Sequence, residues 1–173
     1  MKVIKTIVLL CIINTFSGCW RFSRMGYYSS TNKKSLKFAD KIVKCINNKD
    51  SNGLYALFSE SVRENIEKDS FTKDSERLFE YVGTNIKEFE SMGSSMEGSI
   101  NHGKKVTCYY SKFELISNDN NFIMDYVVTI EDAYEQKNIG IKSLKIIKLE
   151  DTEKYFIYLQ DLPDGITLPD EAK

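Results

Sequence analysis

The chain is 173 residues long, 28% of them charged, with a formal net charge of −1 at pH 7. That length supports one hydrophobic core and rarely two. Charges of both signs are interleaved and no folded segment carries a concentrated basic face, which argues against a nucleic-acid partner, because displacing phosphate counterions needs clustered Lys and Arg.

Residues 1–18 read as a targeting segment. Lys2 and Lys5 form a positive start, and Ile4 to Ile13 is apolar apart from Lys5 and Thr6, too short to span a bilayer as a stable helix. Phe16-Ser17-Gly18-Cys19 follows and resembles a bacterial lipobox, in which small residues precede a cysteine that receives lipid before cleavage. Cys19 is then the lipidated first residue of the mature chain, and the protein is expected to be extracytoplasmic and anchored to the cell membrane through that lipid. Removing residues 1–18 leaves 22 basic against 25 acidic side chains, a net of −3. Residues 19–34 read as a tether. Arg21, Arg24, Lys33 and Lys34 alternate with Trp20, Phe22, Tyr27 and Tyr28, a mixture suited to the headgroup zone or to a plain linker.

The rest, 35–173, reads as one α+β domain. Leu36, Ala39, Ile42, Val43 and Ile46 have the three-four spacing of an amphipathic helix that stops at Asn47-Asn48. A second helix from Asp50 or Ser51 presents Leu54, Leu57 and Phe58, and Ser61 with Glu64 reads as a capping box for a further turn or two from Val62 to Lys68. A long third helix, capped by Thr72, carries Leu78, Phe79, Val82, Ile86 and Phe89 and ends before Gly93, with Gly83 as an internal defect of about 1 kcal/mol.

After Gly93 the hydrophobic period changes to two. Met96 to Asn101 is a short strand, Asn101-His102-Gly103 a turn, Lys104 to Ile116 a long strand and Ser117 to Asn121 a loop. Phe122, Met124, Tyr126, Val128 and Ile130 then alternate along a central strand that pairs with Ile139 to Leu149 across the loop 135–138. A last strand is expected over Lys154 to Gln160, and the tail Asp161 to Lys173 reads as irregular. Three N-terminal helices should therefore pack on a curved antiparallel sheet of about five strands.

The lipobox, Ala39-Asp40-Lys41-Ile42-Val43, Leu57-Phe58-Ser59, Gly140-Ile141-Lys142-Ser143-Leu144 and Gly165-Ile166-Thr167-Leu168-Pro169 together resemble a family of bacterial lipoproteins of unknown function. That family is assigned the cystatin-like, nuclear-transport-factor-2-like fold. The resemblance covers roughly residues 36–170. It implies a cone-shaped domain with a pocket between sheet and helices, and it implies no reaction and no cofactor.

Few residues carry chemistry. His102 is the single histidine and lies in a polar turn without partners at metal-ligand spacing. Asp125 is the one acid within a strongly apolar run. Some enzymes of the resembled superfold use a carboxylate and tyrosines inside the cone, so an isomerase- or dehydratase-like activity is the alternative reading. Alternation puts Asp125 opposite the apolar face, however, and so towards solvent. Tyr110 and Tyr126 are the ligand-binding candidates should the cone hold a pocket. Cys45 and Cys108 are expected as free thiols. Strand 139–149 carries apolar residues on both faces, and a sheet face left uncovered by helices would suit a homodimer. The function expected is that of a non-catalytic small-ligand-binding or protein-interaction module.

Overall fold

A computed structural model describes residues 33–155 and 158–169. The targeting segment, Cys19 and the tether up to residue 32 lie outside the described residues. Four α-helices come first: α1 (33–47), α2 (Ser51–Leu57), α3 (Glu60–Asn65) and α4 (Lys68–Val82). Five strands follow in one open sheet, β1 (Glu88–Asn101), β2 (Lys104–Ile116), β3 (Asn121–Asp132), β4 (Gly140–Lys148) and β5 (Gly165–Thr167), ordered β1-β2-β3-β4-β5. Short 3₁₀ turns at Gln136–Asn138, Leu149–Asp151 and Leu159–Asp161 show that helical turns are not confined to the N-terminal half.

The apolar spacing of α1 works as read: Ala39, Ile42, Val43 and Ile46 are buried while Lys41 and Lys44 are exposed. Each such aliphatic side chain removed from water contributes roughly 1.5–3 kcal/mol. Asn47 does more than stop the helix. Its side-chain amide donates to the Ile86 carbonyl (2.9 Å) and accepts from the Ile86 N–H (3.1 Å), satisfying a backbone pair in the link between α4 and β1.

Three boundaries differ from the sequence reading, each for a local reason. The cap of α3 is Ser59, whose hydroxyl accepts from the Val62 N–H, and not Ser61. The long helix starts at Lys68, so Thr72 lies inside it and its hydroxyl donates back to the Lys68 carbonyl. It ends at Val82 because Gly83 adopts φ 77° with ψ 179°, an extended positive-φ conformation that leaves the helix and favours glycine. Ile86 and Phe89 therefore leave the helical stripe, and β1 begins at Glu88 rather than near Met96, with a bulge between Ser91 and Gly93 absorbing the change of phase.

The turn joining β1 to β2 is His102-Gly103, both residues at positive φ, the geometry that suits a two-residue hairpin loop. Pairing from β1 to β4 is antiparallel, but β5 runs parallel to β4, so the sheet is mixed. Parallel addition needs a crossover, and residues 149–164 supply it. The strand expected over Lys154 to Gln160 does not form in its described residues: Tyr155 lies in a turn and Leu159–Asp161 is 3₁₀. The terminal strand is Gly165–Thr167, from the tail expected to be irregular.

That crossover dries the second face of the sheet. Phe122, Met124, Tyr126 and Val128 of β3 face the helices, while Ile123, Asp125, Val127 and Thr129 face the opposite way, and all eight are buried. Ser143 donates to the Leu162 carbonyl (3.2 Å) and Lys145 to the Tyr155 carbonyl (3.4 Å), fixing the crossover over β4. The expectation that Asp125 faces solvent is thus corrected: it is 2% exposed, because its face is roofed by the chain itself. In the run 139–149 offered as a dimer face, Ile147 is likewise covered and Ile141, Leu144 and Ile146 lie in the core under the helices, whereas Ile139 and Leu149 are 41% and 40% exposed.

Candidate functional site

The three candidate residues do not assemble into one site. Tyr126 lies between sheet and helices, fully buried, its ring stacked parallel on Phe113 at 5.9 Å and its hydroxyl donating to the Ser35 carbonyl of α1. Burial pushes its phenol far above the ordinary tyrosine range. It acts as a core residue that ties β3 to the start of α1.

The neighbouring residues fill the same space. Phe113 also meets Phe89 edge-on at 5.9 Å, Phe122 meets Tyr81 at 5.8 Å, and Phe58 meets Phe71 at 5.0 Å. Ile42, Ile46, Leu54, Leu78 and Met124 close the layer with no exposed surface. Side chains occupy the interior that the resemblance presents as a pocket.

Asp125, on the other face, is held by Lys145, 3% exposed, with Nζ 3.2 Å from Oδ2. Lys112 approaches Oδ1 at 3.7 Å from the solvent side. The two cations come from the strands flanking β3, since Lys112 and Lys145 are the register partners of Asp125. A carboxylate bound between two ammonium groups and turned away from Tyr126 is not available as a general base to a tyrosine-lined interior. The partnership was legible as an alternation of charge across three adjacent strands, but only once the register was known.

Tyr110 faces the same way as Asp125 but lies nearer the open edge. Its hydroxyl donates to Glu97 of β1 (2.9 Å), and burial together with that carboxylate pushes the phenol up to about 12. Ser95, Met96, Glu97 and Tyr110 floor a half-open groove of about 350 Å³, bounded by Tyr158 and Gln160 of the crossover. His102 is in the exposed hairpin turn. Cys45 and Cys108 are free thiols, both half-buried, and the Cys108 sulfur lies 3.4 Å from the Thr129 hydroxyl. Among the described residues no group of three or more His, Cys, Asp or Glu could hold a metal ion, and no helix is long and apolar enough to cross a membrane.

Sequence reasoning missed β1 as a surface. Met92, Met96 and Ile100 are 54%, 36% and 72% exposed on a fourteen-residue strand that, among the described residues, pairs on one side only. The signal was present as Ser91 to Ile100, a run of small and apolar residues with Glu97 as its one charge.

Fold and surface together define an α+β domain with a packed interior, one sheet face under helices, the other partly under its own C-terminal crossover, and a long edge left unpaired by the described residues. Residues 41–149 match the domain of unknown function DUF5104, and the chain belongs to that family. No curated protein matches it.

Proposed function

We propose that this protein is a lipoprotein, anchored outside the cytoplasm through Cys19, that acts as a non-catalytic protein-interaction module. The carrying observation is the contrast between an interior filled by Phe113, Phe122, Met124 and Tyr126 and a strand that leaves Met92, Met96 and Ile100 in solvent. A domain built to enclose a ligand would invert that distribution. The same helix-over-sheet layering supports a nuclear-transport-factor-2-like relationship, with the parallel β5 as a departure from a wholly antiparallel cone. The anchoring is supported by the run Phe16 to Cys19 and the apolar stretch before it.

Two measurements test the reading. Metabolic lipid labelling should mark the native chain and not Cys19→Ser, and equal labelling of both would remove the anchor. Native mass spectrometry of protein purified from its own host should show no retained small molecule. A stoichiometric ligand would instead favour the second reading, a small-ligand site in the groove beside Tyr110 and Tyr158.

A further inference from the structure

An edge strand is a template for another strand, and chains that stay single blunt it with Pro, Lys, short length or a covering segment. The two edges of this sheet differ. β5 is three residues long and thereby blunted. β1 is fourteen residues long, contains no Pro and no Lys, and is exposed along nearly its whole length. Its single irregularity, the bulge between Ser91 and Gly93, leaves Gly93–Asn101 as an unbroken ladder partner of β2 whose outer side pairs with none of the described residues.

The spacing of the exposed apolar residues is symmetric. Met92 and Ile100 are each four residues from Met96. In an antiparallel pair of identical strands related by a two-fold axis, residues equidistant from the axis lie opposite each other. Within the unbroken ladder an axis at Met96 sets Met96 against its own copy and Ser94 against Gly98, places the charged Glu97 opposite Ser95 rather than opposite itself, and brings Ile100 to the partner strand's bulge at Met92. Met96 is then matched by its own copy, and the apolar residues at the two ends of the ladder, Met92 and Ile100, are brought to the same ends of the seam.

From this self-complementarity we infer that the partner of β1 is a second copy of this chain, joined edge to edge through antiparallel β1 strands about a two-fold axis at Met96, so that two five-stranded sheets become one. The inference deepens the interaction reading proposed above by naming the partner. Closed two-fold pairing also consumes the edge in both copies, so association stops at the dimer. Anchoring through Cys19 would confine both copies to one leaflet and raise their effective concentration.

Sedimentation of the full, lipidated chain in detergent micelles, each holding at most one protein particle, tests this directly. The native chain should sediment as a dimer at tens of micromolar, and the double variant Met96→Lys/Ile100→Lys as a monomer. Opposed ammonium groups should raise the dimer Kd on the order of a hundredfold or more. Both positions are exposed, so circular dichroism and Tm should stay unchanged. In the native background, Met96→Cys should cross-link to its copy with a short bis-maleimide, whereas Lys142→Cys on β4 should not. A native chain monomeric at that concentration, a dimer that persists in the lysine variant, or equal cross-linking at both positions would each overturn the β1 pairing. None of these outcomes would by itself remove the interaction reading, which falls to a retained small ligand.

Discussion

Replacing Asp125 by Leu leaves Lys145 as an ammonium sealed beneath the crossover, with the Tyr155 carbonyl at 3.4 Å as a hydrogen-bond acceptor. Breaking a buried pair by removing one partner costs about 3–5 kcal/mol, because the stranded charge has lost its water without compensation. The two halves of this pair should not be equivalent. Lys145→Met strands a carboxylate that keeps Lys112 at 3.7 Å, and the Lys112 side chain, 38% exposed, can close on it. Asp125→Leu should therefore fall at the upper end of that range and Lys145→Met at the lower. The double variant Asp125→Leu/Lys145→Met should return to near native stability or exceed it, since an apolar pair of similar volume carries no desolvation cost. In urea unfolding followed by circular dichroism, the single variants should shift the midpoint with little change of slope. At about 2–4 °C per kcal/mol for a chain of this size, the larger effect lowers Tm by on the order of 10 °C. A sealed pair is also poorly screened, so the loss should be nearly independent of salt. If Asp125→Leu costs less than about 1 kcal/mol, the value of a surface pair, the crossover does not seal that face in solution.

Three further outcomes follow from particular contacts. Gly140→Ala should destabilise by at least about 2 kcal/mol in the same unfolding assay, because φ is 134° there and a Cβ would stand 2.7 Å from the Ser59 nitrogen. The Asp132 carboxylate accepts from Asn138 and from the N–H groups of Glu135 and Tyr134, which hold its pKa below the usual carboxylate range. Its contribution should be full above pH of about 4 and disappear as pH falls through that lowered value, and Asp132→Ala should cost roughly 1–3 kcal/mol at neutral pH and flatten the acid limb. At the alkaline end, Tyr110 and Tyr126 keep their protons in the folded chain while unfolded tyrosines ionise near 10, so stability should decline as pH rises from 10 towards 12. Phenolate absorbance should show a late step near 12 that Tyr110→Phe removes.

Much of the layering was legible in the sequence. The α1 stripe, the alternation of β2 and the pairing of β3 with β4 follow from periodicity, which reports which residues share a face. Boundaries set by a single backbone conformation were not, because Gly83 reads as a weak helix residue until its positive φ makes it a terminus. Burial of both faces of β3 was half legible. Ile123, Val127 and Val128 break strict alternation in the way of a strand dry on both sides, but the roof comes from residues 149–155 and 158–162, whose composition resembles a loop. Three of the segments that carried the family resemblance meet in space: Phe58 bridges to Ile141, the Ser59 N–H bonds to the Ile141 carbonyl at 2.9 Å, and Gly165–Thr167 pairs with Ser143–Lys145. Those motifs record the packing around β4, which explains why they specify a fold and no chemistry.

The family match stops at residue 149, yet the roof over the outer face begins there. Deleting the chain after Leu149 would uncover Ile123, Val127 and Ile147, strip the Asp125–Lys145 pair of its cover, and remove β5 from the edge of β4. Three large apolar side chains at roughly 1.5–3 kcal/mol each amount to about 5–9 kcal/mol, before any cost at the ion pair. Domains of this size hold about 5–15 kcal/mol in all. The truncated chain should therefore bind hydrophobic dyes, lose near-ultraviolet circular dichroism and unfold without a cooperative transition. Cooperative unfolding with a native near-ultraviolet spectrum would show that helices and four strands suffice, and that the crossover adds a cover to a core already complete. The expected failure would instead make residues 150–169 an integral layer of the domain, with the β1 edge as its one long unpaired border among the described residues.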